Sequence, residues 1–359
     1  MITALIFIIV IGILVFVHEL GHFWVAKKSG MLVEEFGFGF PPRLFGIKRG
    51  ETVYSINWIP FGGFVKIFGE GGEGIDDSRS FANKKSGVRA KVIIAGVAMN
   101  ILFAVFLLSI GNIFGLRTAV TDGMGADIRS RKVQIVQVAK NSPAENTGLE
   151  PLDEVTGFIK SGNFLEIKYI GELQEYVKNN LGKEITIIIN RGDNRIEKKV
   201  IPRIDSPVGE GALGISLATT GIIKYPWYKA FYRGVYQTAI LTSVTIAGYA
   251  GIFKNIFMNG TPGADLSGPI GIAVFTGKAA RIGFTYLVQF TALISINLAV
   301  LNIIPFPALD GGRLLFIGIE KIRGRAISRK VENMVNASGF ALLILLMIYV
   351  TTKDILRFF

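Results

Sequence analysis

Long apolar runs alternate with charged segments along the chain, and four of these runs predict helices that cross a membrane. They cover residues 2–25, 92–116, 286–306 and 337–351. A helix needs about 20 apolar residues to cross the hydrocarbon core of a bilayer, and each run reaches or approaches that length. The last run is the shortest and needs its flanking residues. The pattern predicts a polytopic α-helical membrane protein with four transmembrane helices.

A fifth apolar stretch, residues 226–257, is only sparsely charged after Val235. We interpret it as an interfacial helix on the outer face, because another crossing would place Asp310 on the opposite side of the membrane from His18 and His22. Aromatic and basic side chains at its start suit a membrane surface.

Residues 50–70 contain two β-prone runs on either side of Pro60-Phe61-Gly62-Gly63. This arrangement predicts a β-hairpin with its turn at those four residues. Its apolar side chains are unusual for an aqueous loop, so we expect the hairpin to enter the membrane as a re-entrant element. Its alternative role is packing against the helices.

From about residue 118 to 205 the composition is that of a soluble α+β domain. Strands are predicted at 133–139 and 184–190. One helix is predicted to begin at Ser142-Pro143, with Ser as N-cap and Pro at the first position, and to end at Gly148; another covers 170–180. This domain is predicted to be inserted between membrane segments.

The formal net charge is +12, half of the residues are hydrophobic and the chain has no cysteine. The basic residues concentrate between the first two spans and between the last two, which predicts that both loops are cytoplasmic. The charge therefore indicates a lipid bilayer as partner and requires no nucleic acid. Both termini and the inserted domain are then extracytoplasmic. The predicted regions are 1–117, 118–205, 206–285 and 286–359.

The two histidines of the chain stand four residues apart, in His18-Glu19-Leu20-Gly21-His22. On a helix this spacing puts both imidazoles on one face, where they can share a metal, and leaves Glu19 beside the water to be activated, as general base. Such groups inside an apolar segment indicate function, and the segment lacks the features of a signal peptide. The alternative is a pair of histidines hydrogen-bonded to other helices, with Glu19 neutralised by a lysine.

A catalytic zinc site usually has three protein ligands, so a third donor is needed. Asp310 is the leading candidate, at the end of the third span and on the same predicted side as the histidines. Pro305 and Pro307 break the helix before it and could direct its carboxylate to the metal. Its alternative role is the N-cap of a helix from about 312 to 322.

Several motifs together resemble the site-two protease family of intramembrane zinc metalloproteases, in particular the bacterial sigma-factor-regulating type. The resemblance spans nearly the whole chain and includes a region similar to a PDZ domain, from Asn141 to Leu149 and at Asp153-Glu154-Val155. The other motifs are HELGH at 18–22, Gly37-Phe38-Gly39, residues 58–65, Ala95-Gly96 with Asn100, residues 267–270 and NIIPFPALDGG at 302–312.

The resemblance implies that His18, His22 and Asp310 bind one Zn²⁺ ion and that Glu19 is the catalytic acid and base. It also implies a set of substrate-binding residues, namely Asn302, Pro305, Pro307, Gly62, Gly63 and Phe64. The implied enzyme is a zinc endopeptidase of a bacterial plasma membrane, with its active site near the cytoplasmic side. Its implied substrates are single-pass membrane proteins, such as an anti-sigma factor or a remnant signal peptide.

The chain departs from the family pattern in three places. Phe40 and Val97 stand where the family often has proline, and the chain has room for one PDZ-like domain where better-known relatives carry two. That domain could bind a peptide C-terminus or serve as a spacer. Two other functions stay open: a catalytically silent membrane binding protein, and a metal transporter that uses His18, His22 and Asp310 as a transit site.

Overall fold

The computed structural model describes residues 2–72, 74–119, 129–160, 162–192, 194–207, 209–261, 267–325 and 327–358. The chain forms two compact units. The first, here called the helical unit, comprises Met1–Ile110, Phe231–Ala280 and Leu287–Phe359. The second, the sheet unit, comprises Gly111–Ala230 and Arg281–Tyr286 and is therefore longer than the predicted region 118–205.

Seven helices and a two-stranded sheet account for most described residues of the helical unit, with some helix ends passing into the sheet unit. The two strands are β1 (Val33–Arg49) and β2 (Thr52–Ile67). The helices are α1 (Ile2–Lys28), α2 (Ser86–Phe114), α5 (Trp227–Asn259), α6 (Pro269–Ile282), α7 (Phe284–Ile303), α8 (Asp310–Arg323) and α9 (Arg329–Phe358). The numbers missing from this series belong to elements of the sheet unit.

Among the described residues, five helices are long and apolar enough to cross a membrane: α1, α2, α5, α7 and α9. Helices α1 and α9 contain their predicted spans, and α2 and α7 cover most of theirs. The count of four is not confirmed, because α5 also meets the criteria of length and composition. The molecule has several apolar helices of a polytopic membrane protein.

Helix α5 contacts other long helices of the helical unit. Gly234 lies against Ser109 of α2, and the Tyr249 hydroxyl donates to Asn297 Oδ1 of α7 at 3.1 Å. Fifteen residues of helix separate these contacts, about 22 Å along the axis. Helix α6 lies between α5 and α7 along the chain, with Gly277 against Thr3 at the start of α1. The interfacial position of α5 stays a prediction.

The β-rich segment after α1 is longer than predicted. The tight turn between strands β1 and β2 is at residues 50–51. The chain reverses again between residues 57 and 63, where the predicted turn at Pro60–Gly63 lies, because Phe38 pairs with both Ile56 and Gly63. The two runs on either side of that turn do not pair with each other as a hairpin would, since residues 33–38 lie between them. Gly50 has φ +61 and supplies the backbone conformation that a tight turn requires.

Both strands fold back, so that one sheet contains four paired segments. Residues 52–57 pair with 43–49 on one side and with 33–38 on the other, and 33–38 pair also with 63–67. Within the described part of the chain, residues 63–67 therefore form an edge that no strand covers. An uncovered edge presents unpaired backbone groups that can bind another extended segment.

Close approach of helices α1 and α2 is set by small residues. A Cβ atom added to Gly21 would lie 2.3 Å from the Ala95 carbonyl oxygen, so no larger residue fits there. Helix α7 joins the pair, because Ser295 Oγ donates to the Asn100 carbonyl oxygen at 2.8 Å. These contacts hold α1, α2 and α7 close together.

The described residues of the sheet unit form seven strands in the order β3-β9-β4-β5-β7-β8, with β6 paired to β5. Its elements are β3 (Leu116–Ala119), β4 (Arg129–Val138), α3 (Pro143–Asn146), β5 (Glu154–Lys160), β6 (Asn163–Glu166), α4 (Ile170–Lys178), β7 (Ile185–Arg191), β8 (Asn194–Val200) and β9 (Ile215–Ile223). The predicted Ser142 N-cap is confirmed, since its hydroxyl accepts from the Glu145 backbone N–H at 3.2 Å.

Asp153 and Arg191 form the main charged contact inside the sheet unit. Asp153 is 1% exposed, and Arg191 donates to both of its oxygens, at 2.7 and 2.8 Å. The same guanidinium bonds Glu150 and the Gly148 carbonyl oxygen. The bonds to Asp153 raise the pKa of Arg191 above its ordinary value. This cluster joins β7 to the segment between α3 and β5.

Candidate metal centre

The two histidines lie on one face of α1, as their spacing predicts. Their Nε2 atoms are 3.1 Å apart. Gly96 of α2 leaves room for both rings, because a Cβ atom there would lie 2.4 Å from His22 Nε2 and 2.8 Å from His18 Cε1. The small residue at this position therefore allows the two imidazoles to converge between α1 and α2.

Asp310 comes to the same point from the far end of the chain. Its Oδ2 atom is 3.1 Å from His18 Nε2 and 3.3 Å from His22 Nε2. The three side chains are only 10%, 12% and 14% exposed. The N-cap of α8 is Leu309, and Asp310 is the first helical residue. Its carboxylate is thus directed to the histidines, and the alternative role as N-cap does not apply.

The turn between α7 and α8 is tight enough to require glycine after Asp310. Cβ atoms on Gly311 and Gly312 would lie 2.1 Å from the Ile304 carbonyl oxygen and 2.3 Å from that of Phe306. Ala308 has φ +72, a left-handed conformation that is uncommon for a residue with a side chain. This compact turn places the start of α8 against the end of α7 and fixes the position of Asp310.

The donor set fits a zinc ion. The ligand atoms of His18, His22 and Asp310 all lie within 4.8 Å of one another. Asp310 Oδ2 is buried and has no hydrogen-bond partner among the described residues. A buried carboxylate oxygen without a partner costs free energy, and a cation shared with two imidazole nitrogens would remove that cost. Two histidines and one carboxylate, with a fourth position open, are typical of catalytic zinc.

Two further groups orient the imidazoles, and sequence reasoning had not assigned either role. His22 Nδ1 lies 2.9 Å from the Val92 carbonyl oxygen, which fixes the Nδ1–H tautomer and leaves Nε2 for the metal. The Asn100 side-chain amide lies 3.3 Å from His18 Nδ1, and Asn100 Oδ1 is buried with no partner among the described residues. Rotating this amide by half a turn lets Oδ1 accept from Nδ1–H, which leaves His18 Nε2 for the metal as well.

A cavity of 220 Å³ adjoins these ligands, and here it is called the catalytic cavity. Glu19 lines it together with the three ligand residues and Phe64 of β2. Gly63 is close by, since a Cβ atom there would lie 3.5 Å from Glu19 Cγ. The structure thus brings the predicted general base, the ligands and part of strand β2 to one place.

The other predicted substrate-binding residues lie outside that group. Asn302, Pro305 and Pro307 do not line the catalytic cavity. Pro307 packs against Gly339 of α9. Gly62 has φ +95 and lies against the Phe40 ring. For Pro307 the structure shows packing, and for Gly62 it shows turn geometry.

Comparison with known proteins places this geometry in a family. A model of peptidase family M50 matches residues 6–346. The chain belongs to peptidase family M50. A protein of Clostridium perfringens is 37% identical to this M50 peptidase over 344 residues, which are 96% of this chain and 95% of the relative.

Two relatives carry more specific names. The regulator of sigma-W protease RasP of Bacillus subtilis is 31% identical over 442 aligned residues, covering 99% of both chains. The zinc metalloprotease RasP of Oceanobacillus iheyensis is 30% identical over 443 aligned residues, covering 100% of both. The predicted class, a zinc metalloprotease of the site-two type, is confirmed for this M50 peptidase.

Proposed function

We propose that the protein is a zinc-dependent endopeptidase that hydrolyses peptide bonds within or beside the transmembrane segments of single-pass membrane proteins. The observation that carries this proposal is the position of the metal centre. Two ligands and the general base belong to α1, a helix of 27 residues that is apolar enough to cross a membrane. Chemistry at such a position reaches substrates that lie in the bilayer.

Each residue of the centre has a distinct part in hydrolysis. His18, His22 and Asp310 would hold one zinc ion, which supplies a Lewis acid and lowers the pKa of a water molecule. Glu19 lines the same cavity and takes the proton of the attacking water. It then gives that proton to the leaving amine as the C–N bond breaks. The low exposure of the ligands limits the entry of bulk water.

The uncovered edge of β2 suits an extended substrate. A transmembrane helix satisfies its own backbone hydrogen bonds, so a substrate must unwind before its carbonyl carbon is accessible. Residues 63–67 can pair with the unwound segment by strand addition. Phe64, Val65 and Ile67 from this edge also line the catalytic cavity, so a strand bound there would pass beside Glu19.

The relatives and the charge pattern support a proposal for the substrates and for the orientation in the membrane. A relative named as a regulator of sigma-W supports a membrane-bound anti-sigma factor or a remnant signal peptide as substrate. The basic loops support a cytoplasmic location for the end of α1 and the start of α2, where the metal centre lies. The protein would then be a multi-pass protein of a bacterial plasma membrane.

The sheet unit offers a second contact for the substrate. A cavity of 300 Å³ lies between α4 and β9 and is mainly apolar, with Leu173, Val177, Leu181 and Leu217 among its lining residues. In the described residues, positions 215–219 of β9 pair with β4 on one side only. This groove is typical of a PDZ-like domain that binds a peptide C-terminus by strand addition. We expect Leu181→Asp to weaken cleavage of a substrate that ends in a newly exposed C-terminus; equal cleavage would favour the spacer role.

The decisive test compares wild type with Glu19→Gln in detergent, using a tagged single-span substrate and measuring both cleavage and bound zinc. Loss of the general base should lower the cleavage rate about a thousandfold while zinc stays bound. Glu51→Gln is a matched control, because Glu51 is an exposed residue paired with Arg79 outside the catalytic cavity. Zinc-bound protein that cleaves no member of a broad substrate panel would favour the silent binding protein, and zinc flux into liposomes would favour the transporter.

A further inference from the structure

A second cavity adjoins the catalytic cavity. It has a volume of 570 Å³ and extends among the segment after β2, the start of α2, α8 and the start of α9. Five residues line both cavities: Ile67, Glu70, Phe81, Ile93 and Arg313. The larger cavity is therefore the natural way out of the catalytic cavity toward the end of the helical unit where α1 ends and α2 begins.

An ion pair stands at the boundary between the two cavities. Arg313 donates to the carboxylate of Glu70, and each residue lines both spaces. Arg313 follows Asp310 by three residues on α8, so the two side chains share one face of the helix. Its side chain is 48% exposed, which leaves the guanidinium accessible to a ligand.

Hydrolysis of a peptide bond in the catalytic cavity creates a new carboxylate there. The oxygen of water adds to the carbonyl carbon, the C–N bond breaks, and the fragments separate as a carboxylate and an ammonium group. The carboxylate forms at the carbonyl carbon, beside the metal ligands. A guanidinium binds carboxylates with two parallel hydrogen bonds, which makes arginine the most suitable side chain to receive it.

We infer that Arg313 is a product-binding residue: it receives the new C-terminal carboxylate of the amino-terminal fragment. The Glu70 carboxylate occupies the guanidinium in the resting protein and is displaced by the product, which then leaves through the 570 Å³ cavity. This inference rests on the proposed proteolysis. It gives Glu70 and Arg313 opposite roles, since one is the competitor and the other the binding group.

A purely structural ion pair makes a different prediction. Removing either partner of such a pair has similar consequences, because the same interaction is lost. The pair of Arg89 with Glu320 is a matched comparison. It lies at 2.5 Å and also lines the larger cavity, but neither residue lines the catalytic cavity. Substitutions of Arg89 or Glu320 therefore measure the effect of losing an ion pair that does not line the catalytic cavity, where the new carboxylate forms.

The test measures product binding without turnover, in the zinc-loaded full chain carrying Glu19→Gln. The probe is a short fluorescein-labelled peptide rich in Ala and Leu, made with a free C-terminal carboxylate and with a C-terminal amide. Arg313→Gln should lower the affinity ratio of carboxylate to amide by about tenfold, the value of one charge-assisted hydrogen bond. Glu70→Gln should raise the affinity for the carboxylate form. Arg89→Gln and Glu320→Gln should leave the ratio unchanged.

Arg313→Lys serves as a second variant, since it keeps the charge and loses the bidentate geometry, and it should give an intermediate ratio. An unchanged ratio in both Arg313 variants would overturn the inference, as would a shift in the same direction for Arg313→Gln and Glu70→Gln. If the wild type cleaves its substrate and the ratio does not move, the carboxylate site is wrong and the proteolysis stands. If the wild type cleaves nothing, the proteolysis itself is wrong.

Discussion

Asp153 in the sheet unit and Asp310 in the helical unit are both largely buried carboxylates, yet their surroundings are opposite. Asp153 receives two hydrogen bonds from Arg191 and a third from the Glu150 backbone N–H at 2.8 Å. Asp310 Oδ2 faces two imidazole nitrogens and has no hydrogen-bond partner among the described residues. The chain supplies the counter-charge in the first case, and we propose that a metal supplies it in the second.

The difference separates a structural carboxylate from a functional one. Burial of a charge is tolerated when its partners are complete, and Asp153 meets that condition within the chain. An incomplete set of partners that converge on one point indicates an external ligand. The four predictions below test this contrast, in order of decreasing effect.

The largest effect is expected from Asp310→Asn, which removes the anionic group of the proposed zinc site. Zinc binding stabilises the folded protein by about 4 kcal/mol when free zinc is a thousandfold above Kd, and the variant should lose this increment. Thermal unfolding with and without zinc measures it. The matched variant Asp153→Asn should lower stability equally in both conditions; a zinc-dependent loss in Asp153→Asn would contradict the comparison.

Arg191→Met should destabilise the sheet unit by about 3 kcal/mol, because it leaves the Asp153 carboxylate buried without a cation. Hydrogen exchange of β7 in the full chain measures this loss, and zinc content should stay constant. Lys199→Met is the control, since Lys199 and Glu184 form an exposed pair at 3.1 Å that contributes little. Equal hydrogen-exchange protection of β7 in the two variants would show that the pairing of Asp153 with Arg191 does not stabilise the sheet unit.

Gly96→Ala should weaken zinc binding, with a cost of about 2 kcal/mol from overpacking, because its Cβ atom would collide with the His22 ring. Gly87→Ala in the same helix is the control, since nothing lies within 4 Å of a Cβ atom there. Zinc titration of both variants gives the comparison. Similar affinities would show that the histidines do not depend on the space at Gly96.

The smallest effect is expected from Asn100→Ala, which should lower zinc affinity about tenfold, as loss of a residue that orients a ligand usually does. Asn100→Asp keeps an acceptor for His18 Nδ1–H and should bind zinc more tightly than Asn100→Ala. Ser109→Ala is the control on α2, because its hydroxyl donates to the Val105 carbonyl oxygen of the same helix. If Asn100→Asp and Asn100→Ala bind zinc equally, Asn100 does not accept from His18.

Local signals predicted much of the fold and part of the candidate site. His18 and His22 share one helical face by spacing alone, and the Ser142 cap needs only its own neighbours. The predicted reversal at Pro60–Gly63 is present, but its two flanking runs do not form a hairpin, because residues 33–38 insert between them and that pairing has no local signal. Strand β9 fell outside the predicted domain, since its role in the sheet depends on pairing with β4 and β3.

The sequence by itself determined the apolar helices, the pair of histidines with Glu19 between them, and the less apolar insertion of strands and short helices, because each depends on residues that are close along the chain. Only the tertiary structure decided that Asp310 Oδ2 lies 3.1 Å from His18 Nε2, that Asn100 contacts the same imidazole, and that Arg313 is held by Glu70 beside the catalytic cavity. These contacts join residues that are far apart in sequence, and they exist because close-packed helices leave room for one arrangement of side chains.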